Sequence, residues 1–391
     1  MNILHIAPTP FFADRGCHIR IRNEVESLAG RPVRVTICTY HHGRDVGGMR
    51  IRRIPPIPGY SKLAAGFSPY RFLADILLFF LVLRVAWQDR PDVLHAHLHE
   101  GCLIGWLVRI CLFWRKLPLI MDMQGSLSGE LVSYGTIRKN GLLHRLVGWF
   151  ERLLCRLPDF FFTSSVKSRN VLLDQFGVRE EKVVLLPDVL PERFFRPGSD
   201  RQALRKELAI PVRKRIVMYT GSLLKGKGIE HVLEAMRILC GQDREVFFVL
   251  VGYPLDEAAS FVSAHGLEDR VLLPGRISYE ALHRWLACAD VALEPKIGRS
   301  GEASGKLLHY MAAGLPVVCF NTLNNRELLG DIGYYAKEIS SEAFAAAIAA
   351  ALGDGEKALA RGRQGSMIAA ERYSMQAIGS VMLETYRRQM R

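Results

Sequence analysis

Asp290-Val-Ala-Leu-Glu-Pro-Lys-Ile-Gly-Arg-Ser-Gly-Glu-Ala-Ser-Gly-Lys-Leu-Leu-His-Tyr-Met-Ala-Ala-Gly-Leu-Pro-Val-Val318 reads as strand, small-residue loop, short helix, tight turn and second strand. Val291 to Leu293 is an apolar run stopped by Pro295. Ser300, Gly301, Ser304 and Gly305 let a backbone approach something closely. Leu307, Leu308 and Met311 recur at helical spacing, and Gly314 with Pro316 ends the helix before Val317-Val318. A small-residue loop that opens a helix at the carboxyl end of a strand presents unpaired N–H groups and a positive dipole end. It is a natural seat for a phosphate. An ordinary βαβ turn without a ligand has the same outline.

Working outward, Arg215 to Tyr219 reads as a strand that runs into Thr220-Gly-Ser-Leu-Leu-Lys-Gly-Lys-Gly228, a glycine-rich turn with lysines that suits a diphosphate. Val246 to Gly252 is the next strand, followed by Val271-Leu-Leu-Pro-Gly-Arg-Ile-Ser278 and a helix over Tyr279–Ala289. Upstream, Asn2 to Ala7 is a first parallel strand. A loop to Gly16, a helix over Cys17–Ala29 and a strand over Val33–Thr39 follow, the start of a doubly wound sheet. Gly16 reads as a close-approach residue or as a plain turn glycine. Further strands are expected at Val93-Leu94, Leu119–Asp122, Asp159–Ser165 and Lys182–Leu186. Pro187, Pro191, Pro197 and Gly198 mark a linker near 187–200. Asn325-Arg-Glu-Leu starts a small helix with Glu327 as its capping residue, and Ala343–Leu352 and about 375–388 are helices.

The stretch 309–318, His-Tyr-Met-Ala-Ala-Gly-Leu-Pro-Val-Val, resembles the nucleotide-sugar site of retaining glycosyltransferases of family 4. The signature of that family is Glu, seven residues, a second Glu, then Ala-Met-Ala-x-Gly-x-Pro-Val. The resemblance implies an α/β chain of the GT-B fold: two Rossmann-like doubly wound domains facing a cleft, with the terminal helix crossing back. The expected boundaries are 1–190, 200–372 and 373–391. His309 stands where the family's ribose-holding second Glu falls, and the first Glu falls on Gly301, next to Glu302. Glu294 and Glu302 share the seven-residue gap, but Glu294 ends a strand.

In the family, Gly-Arg-Leu-x-x-x-Lys-Gly holds the donor diphosphate; here Gly221 and Lys227 are kept and Ser222 replaces the Arg. The resemblance implies that Gly275, Arg276 and Ile277 border the base, that Ala303, Ser304, Gly305 and Lys306 form the helix start under the diphosphate, and that Glu302 meets the sugar. Lys227 and Glu302 are the expected catalytic groups. On the acceptor side it points to His97, within Pro91-Asp-Val-Leu-His-Ala-His-Leu-His99, and to Gln124 and Gly125, where relatives often keep a histidine. An amide cannot take a proton, so Gln124 is no general base. His95, His97 and His99 alternate as metal ligands can, yet no carboxylate or Cys lies at a suitable spacing, and no metal or other cofactor is expected. The activity implied is retaining transfer of a sugar from a nucleoside-diphosphate sugar to an acceptor glycan or lipid-linked glycan. The alternatives are a catalytically impaired nucleotide-sugar-binding protein and a nucleotide-sugar epimerase or hydrolase.

Composition sets the outer limits. The 391 residues suffice for two cores, with 49% hydrophobic and 23% charged residues. The net charge is +13, and residues 1–195 hold 26 Lys+Arg against 17 Asp+Glu, about +9 of it. Anionic partners are implied, and no nucleic-acid-binding module is visible. The eight cysteines are scattered without a CxxC pair, as free thiols in a reducing compartment would be. The opening residues read as a buried strand rather than a secretory signal. Ile76–Leu83 is apolar but bracketed by Asp75 and Arg84, too short to span. Basic and aromatic residues mix with apolar ones in Tyr60–Trp87, Cys102–Leu117 and Ile137–Phe162. That pattern suits a cytoplasmic protein seated on an anionic membrane surface, or a core face opposite a solvated one.

Overall fold

A computed structural model describes residues 1–63, 68–133, 137–195, 200–297 and 304–390. Glu302 and Ala303, and the linker residues Pro197 and Gly198, lie outside them. The chain divides into one unit of Met1–Val189 with the residues from Met375 onward, and another running from Leu190 to Ser374.

In the first unit, seven parallel strands, β1 (Asn2–Ala7), β2 (Arg34–Thr39), β3 (Arg50–Arg53), β4 (Val93–His97), β5 (Leu119–Met123), β6 (Phe160–Thr163) and β7 (Val183–Leu185), lie in the order β3-β2-β1-β4-β5-β6-β7. The central strands are buried on both faces, as crossover helices require, and are mainly apolar apart from the buried His5, His95, His97 and Asp122. The helices are α1 (Gly16–Ser27), α2 (Tyr70–Asp89), α3 (Leu98–Cys111), α4 (Leu127–Ser133), α5 (Leu142–Leu154) and α6 (Val166–Asn170). One face of the sheet packs Leu4, Leu94 and Met121 against Leu78 and Val82 of α2 and Cys102 and Val108 of α3. The other packs Ile3, Val93, Ile120 and Phe162 against Ile378, Met382 and Tyr386 of the last helix, α15 (Met375–Gln389).

In the second unit, β8 (Arg215–Thr220), β9 (Val246–Val251), β10 (Val271–Gly275), β11 (Val291–Glu294), β12 (Val317–Phe320) and β13 (Tyr334–Ala336) form a parallel sheet in the order β10-β9-β8-β11-β12-β13. The order reverses between β8 and β11, the switch point outside which ligands of doubly wound sheets bind. Around it lie α7 (Arg201–Glu207), α8 (Ile229–Gln242), α9 (Asp256–Ala264), α10 (Leu282–Leu286), α11 (Gly305–Ala312), α12 (Leu323–Leu329), α13 (Ser341–Gly353) and α14 (Glu356–Tyr373).

Two local expectations need correction. The Tyr279–Ala289 helix contracts to α10 because Tyr279 turns into the core. The cap of α12 is Thr322, whose side chain accepts from the backbone N–H of Asn325, while Glu327 is exposed.

Candidate active site

At the carboxyl ends of β8 and β11, glycines let two loops meet. Gly228, at φ +83°, opens α8, and a Cβ there would stand 2.4 Å from the Pro295 carbonyl oxygen. Gly221, at φ +130°, has Lys306 Nζ 3.6 Å from where its Cβ would be. At Gly228 the turn after β8 lies directly against the chain leaving β11, while at Gly221 it is the positive φ that disfavours a side chain. Lys227 sits in the 3-10 turn Lys225–Lys227 immediately before Gly228.

Lys306, in the first turn of α11, holds its ammonium 4.3 Å from the centre of the Tyr219 ring and 3.7 Å from Glu294 Oε1. Glu294 is fully buried and accepts from the Lys296 backbone N–H at 3.0 Å and from the Ser304 hydroxyl. It therefore pins both ends of the loop that carries Glu302. The spacing argument had set Glu294 aside as the mere end of a strand. Tyr310 ties the same helix to β8, its hydroxyl accepting from the Thr220 backbone N–H at 2.9 Å. Burial raises the Tyr310 and Tyr219 phenols well above the usual range, so both stay neutral. Gly275, at φ +74°, ends β10 and accepts from the Gly252 N–H at 3.0 Å, with Arg276 exposed over the Tyr253 ring and Ile277 beside it. Ser222 offers its carbonyl to the Tyr219 hydroxyl at 2.8 Å.

His309 is turned inward. Its Nδ1–H donates to the Gly305 carbonyl at 2.7 Å, which leaves Nε2 to accept from the Tyr279 hydroxyl at 2.9 Å, with Phe194 packed edge-on at 4.4 Å. A ring with both nitrogens engaged braces the start of α11. Tyr279 and Phe194 carry no motif and were invisible in the sequence.

The first unit supplies its own polar cluster at the ends of β1, β4 and β5. Gly16 opens α1 with nothing within 4 Å of an added Cβ, so its surroundings are open. His97, expected at a cleft surface, is instead fully buried between His5 Nδ1 at 2.9 Å and Asp122 Oδ2 at 3.1 Å. The half-buried Gln124 donates to the same Asp122 oxygen at 2.9 Å, and Gly125 is buried beside it. Arg20 of α1 grips Asp122 through Nε and Nη2, and reaches Glu24 and Asp188, each at 3.0 Å. Burial opposes charge on Asp122, but Arg20 and the His97 hydrogen bond outweigh it and hold the carboxyl well below its usual range. Glu24 goes the other way: burial and the neighbouring Asp122 and Asp188 raise it well above the carboxylate range against the pull of Arg20. Burial also lowers His5 and His95, so both are neutral.

His5, His95 and His97 come close enough to ligate one ion, and Glu24 and Asp122 join His95 and His97. Sequence spacing had found no such carboxylate because both arrive from other elements. The Arg20 guanidinium lies on the carboxylate side of this cluster.

The family described as "Glycosyl transferase 4-like domain" matches residues 15–188, and "Glycosyl transferases group 1" matches 200–366. The chain is 24% identical to the alpha-D-kanosaminyltransferase of Streptomyces kanamyceticus over 95% of its own length and 99% of the relative's. Among solved structures, it superposes on the sucrose-phosphate synthase of Thermosynechococcus elongatus with a TM-score of 0.80 at 19% identity, covering 99% of this chain and 98% of that one. It superposes on Anabaena HepE, solved with UDP and glucose, with a TM-score of 0.78 at 18% identity, covering 99% and 100%. With one glycosyltransferase domain matched in each unit and the fold shared across the whole chain, the protein is a glycosyltransferase of the GT-B fold.

Proposed function

We propose that the protein transfers a sugar, with retention, from a nucleoside-diphosphate sugar to a hydroxyl of a lipid-linked or polysaccharide precursor at the cytoplasmic face of a membrane. The observation that carries the donor half is the convergence of Lys306, the Gly221–Gly228 turn with Lys227, and the start of α11 at the switch point of the second sheet. Departure of the donor diphosphate leaves negative charge on its oxygens and positive charge on the sugar ring. Lys227, Lys306 and the N–H groups at the start of α11 neutralise the first without a metal ion. Glu302, outside the described residues, meets the sugar. His309 shapes the ribose seat from behind, and Gly275, Arg276 and Ile277 border the base. In the first unit, Asp122 orients Gln124 toward an acceptor hydroxyl. The relative that makes a kanosaminyl transfer and the UDP-bound neighbour support a nucleotide-sugar donor.

A thermal-shift screen with UDP, GDP and ADP and their sugars tests the reading, since a ligand that binds the folded state raises Tm. One nucleotide series should stabilise the protein. Lys227→Ala should then lose roughly 100- to 1,000-fold in kcat with the fold intact, whereas near-normal turnover in that variant overturns the diphosphate assignment. Ser222 in place of a cation, and the engaged nitrogens of His309, favour a second reading in which the protein binds donors without turnover. Stabilisation by a nucleotide sugar with neither transfer nor hydrolysis would select it.

A further inference from the structure

α5 buries a carboxylate, Glu151, beside Leu154 and leaves five of its large apolar side chains exposed, unlike a helix that turns its whole apolar face to a core. On the inner side Glu151 is fully buried. Its carboxylate accepts from the backbone N–H groups of Leu127 at 2.7 Å and Ser128 at 3.2 Å and from the Ser126 and Ser128 hydroxyls, with His99 Nε2 at 3.2 Å. These bonds fix the rotation of the helix about its own axis. Leu142, Leu143, Leu146, Trp149 and Phe150, spaced i, i+1, i+4, i+7 and i+8, therefore face outward, Leu142 at 76% and Trp149 at 61% exposure.

Exposed apolar residues scattered singly are ordinary, but five on one face of a single helix, two of them aromatic, need a partner.

The charge says which partner. Over residues 137–158 the sequence has Arg138, Lys139, Arg145, Arg152 and Arg156, and its only acid, Glu151, is the one buried. Arg145 and Arg152 lie together along one flank of the exposed face, seven residues apart. No described helix is long and apolar enough to cross a membrane. A helix with an aromatic apolar face, a basic flank and no exposed acid suits the plane of an anionic bilayer interface, with the ring bodies in the acyl boundary and the guanidinium groups at the phosphates. We propose that α5, its outer face and arginine flank together, is the segment that seats this protein on anionic lipid. The inference deepens and rests on the membrane part of the function proposed above.

The test is flotation of the full chain with vesicles of phosphatidylcholine alone or with about one third phosphatidylglycerol. The expected result is binding to the anionic vesicles that weakens with salt. Leu146→Glu with Trp149→Glu should lower partition at least about tenfold, and Arg145→Gln with Arg152→Gln about fivefold per residue. All four positions are exposed. Trp149→Phe keeps the face apolar and should still bind while losing quenching of tryptophan emission by brominated lipid. Equal or no binding to the two vesicle types, or binding indifferent to these substitutions, overturns the proposal. So does a dimer in light scattering that the Leu146→Glu, Trp149→Glu variant abolishes while the unaltered chain ignores vesicles. Neither donor nor acceptor enters the assay. Stabilisation by a nucleotide without vesicle binding therefore overturns this surface alone, and vesicle binding without any nucleotide effect overturns the donor reading alone.

Discussion

Arg20 answers three carboxylates with one positive charge, and a buried site cannot hold the surplus negative charge. Burial first, and then Asp122 and Asp188, push the Glu24 carboxyl upward, toward its neutral form. Two isosteric substitutions separate these roles. Asp122→Asn removes the anion that Arg20 grips and that His97 and Gln124 address, and should cost about 3–5 kcal/mol in chemical denaturation. Glu24→Gln keeps the shape of a carboxyl whose ionisation the site opposes and should change stability by less than about 1 kcal/mol at pH 7. Equal losses would mean that Glu24 is ionised in the fold. The i,i+4 spacing of Arg20 and Glu24 was legible in the sequence. Their burial was not, because it depends on Asp122 and Asp188, which lie in distant parts of the sequence.

Among the elements, two helix glycines make opposite demands. Gly379 of α15 lies against α1, where a Cβ would stand 2.3 Å from the Ser27 carbonyl oxygen. Gly148 of α5 has nothing within 4 Å. Gly379→Ala should therefore destabilise by about 1–3 kcal/mol as the two helices are forced apart. Gly148→Ala should stabilise by about 0.5–1 kcal/mol through helix propensity. Urea midpoints of the two variants would show it: an unchanged or raised midpoint for Gly379→Ala would refute the close packing of α1 on α15, and a lowered one for Gly148→Ala would refute the open surroundings of that position. The same chemistry explains what the sequence hid. Strands such as β9 and β12 are dense apolar runs, and they stand out. No element was expected over 356–373, where α14 lies, because its buried face is built from Ala358, Gly362, Gly365, Ala369 and Tyr373. A contact made by small residues leaves little hydrophobic period to read.

For the molecule as a whole, acid is the condition that should matter most. Burial lowers His5 and His95 below the ordinary histidine value and lowers His18 to about 3. Each is neutral in the fold but takes up a proton on unfolding once the pH is below about 6.5. Their contribution to stability is thus present above that pH and lost as the pH falls, by up to about 1.4 kcal/mol per histidine per pH unit. Tm measured from pH 8 to 5 should be level at first and then drop. All three residues belong to the first unit, so if the units melt separately its transition should move more than that of the second, where burial lowers the more exposed His283. A level Tm down to pH 5 would contradict their burial as neutral rings. At this scale the sequence was most informative. Most strands of both sheets and the glycine turns were readable from strand runs and loop chemistry, but the edge strands β3 and β13 were not. The inward turn of His309 and the bracing role of Glu294 were not, since each depends on partners that only the fold brings near.

The placement of α15 bears on how the chain is made. The layer that covers Ile3, Val93, Ile120 and Phe162 is encoded after the whole of the second unit. At ordinary elongation rates of about 5–20 residues per second, that face waits roughly ten to forty seconds on the ribosome before its cover emerges. The nascent first half thus presents a long-lived sticky surface, and this chain should be an obligate client of holding chaperones during its own synthesis.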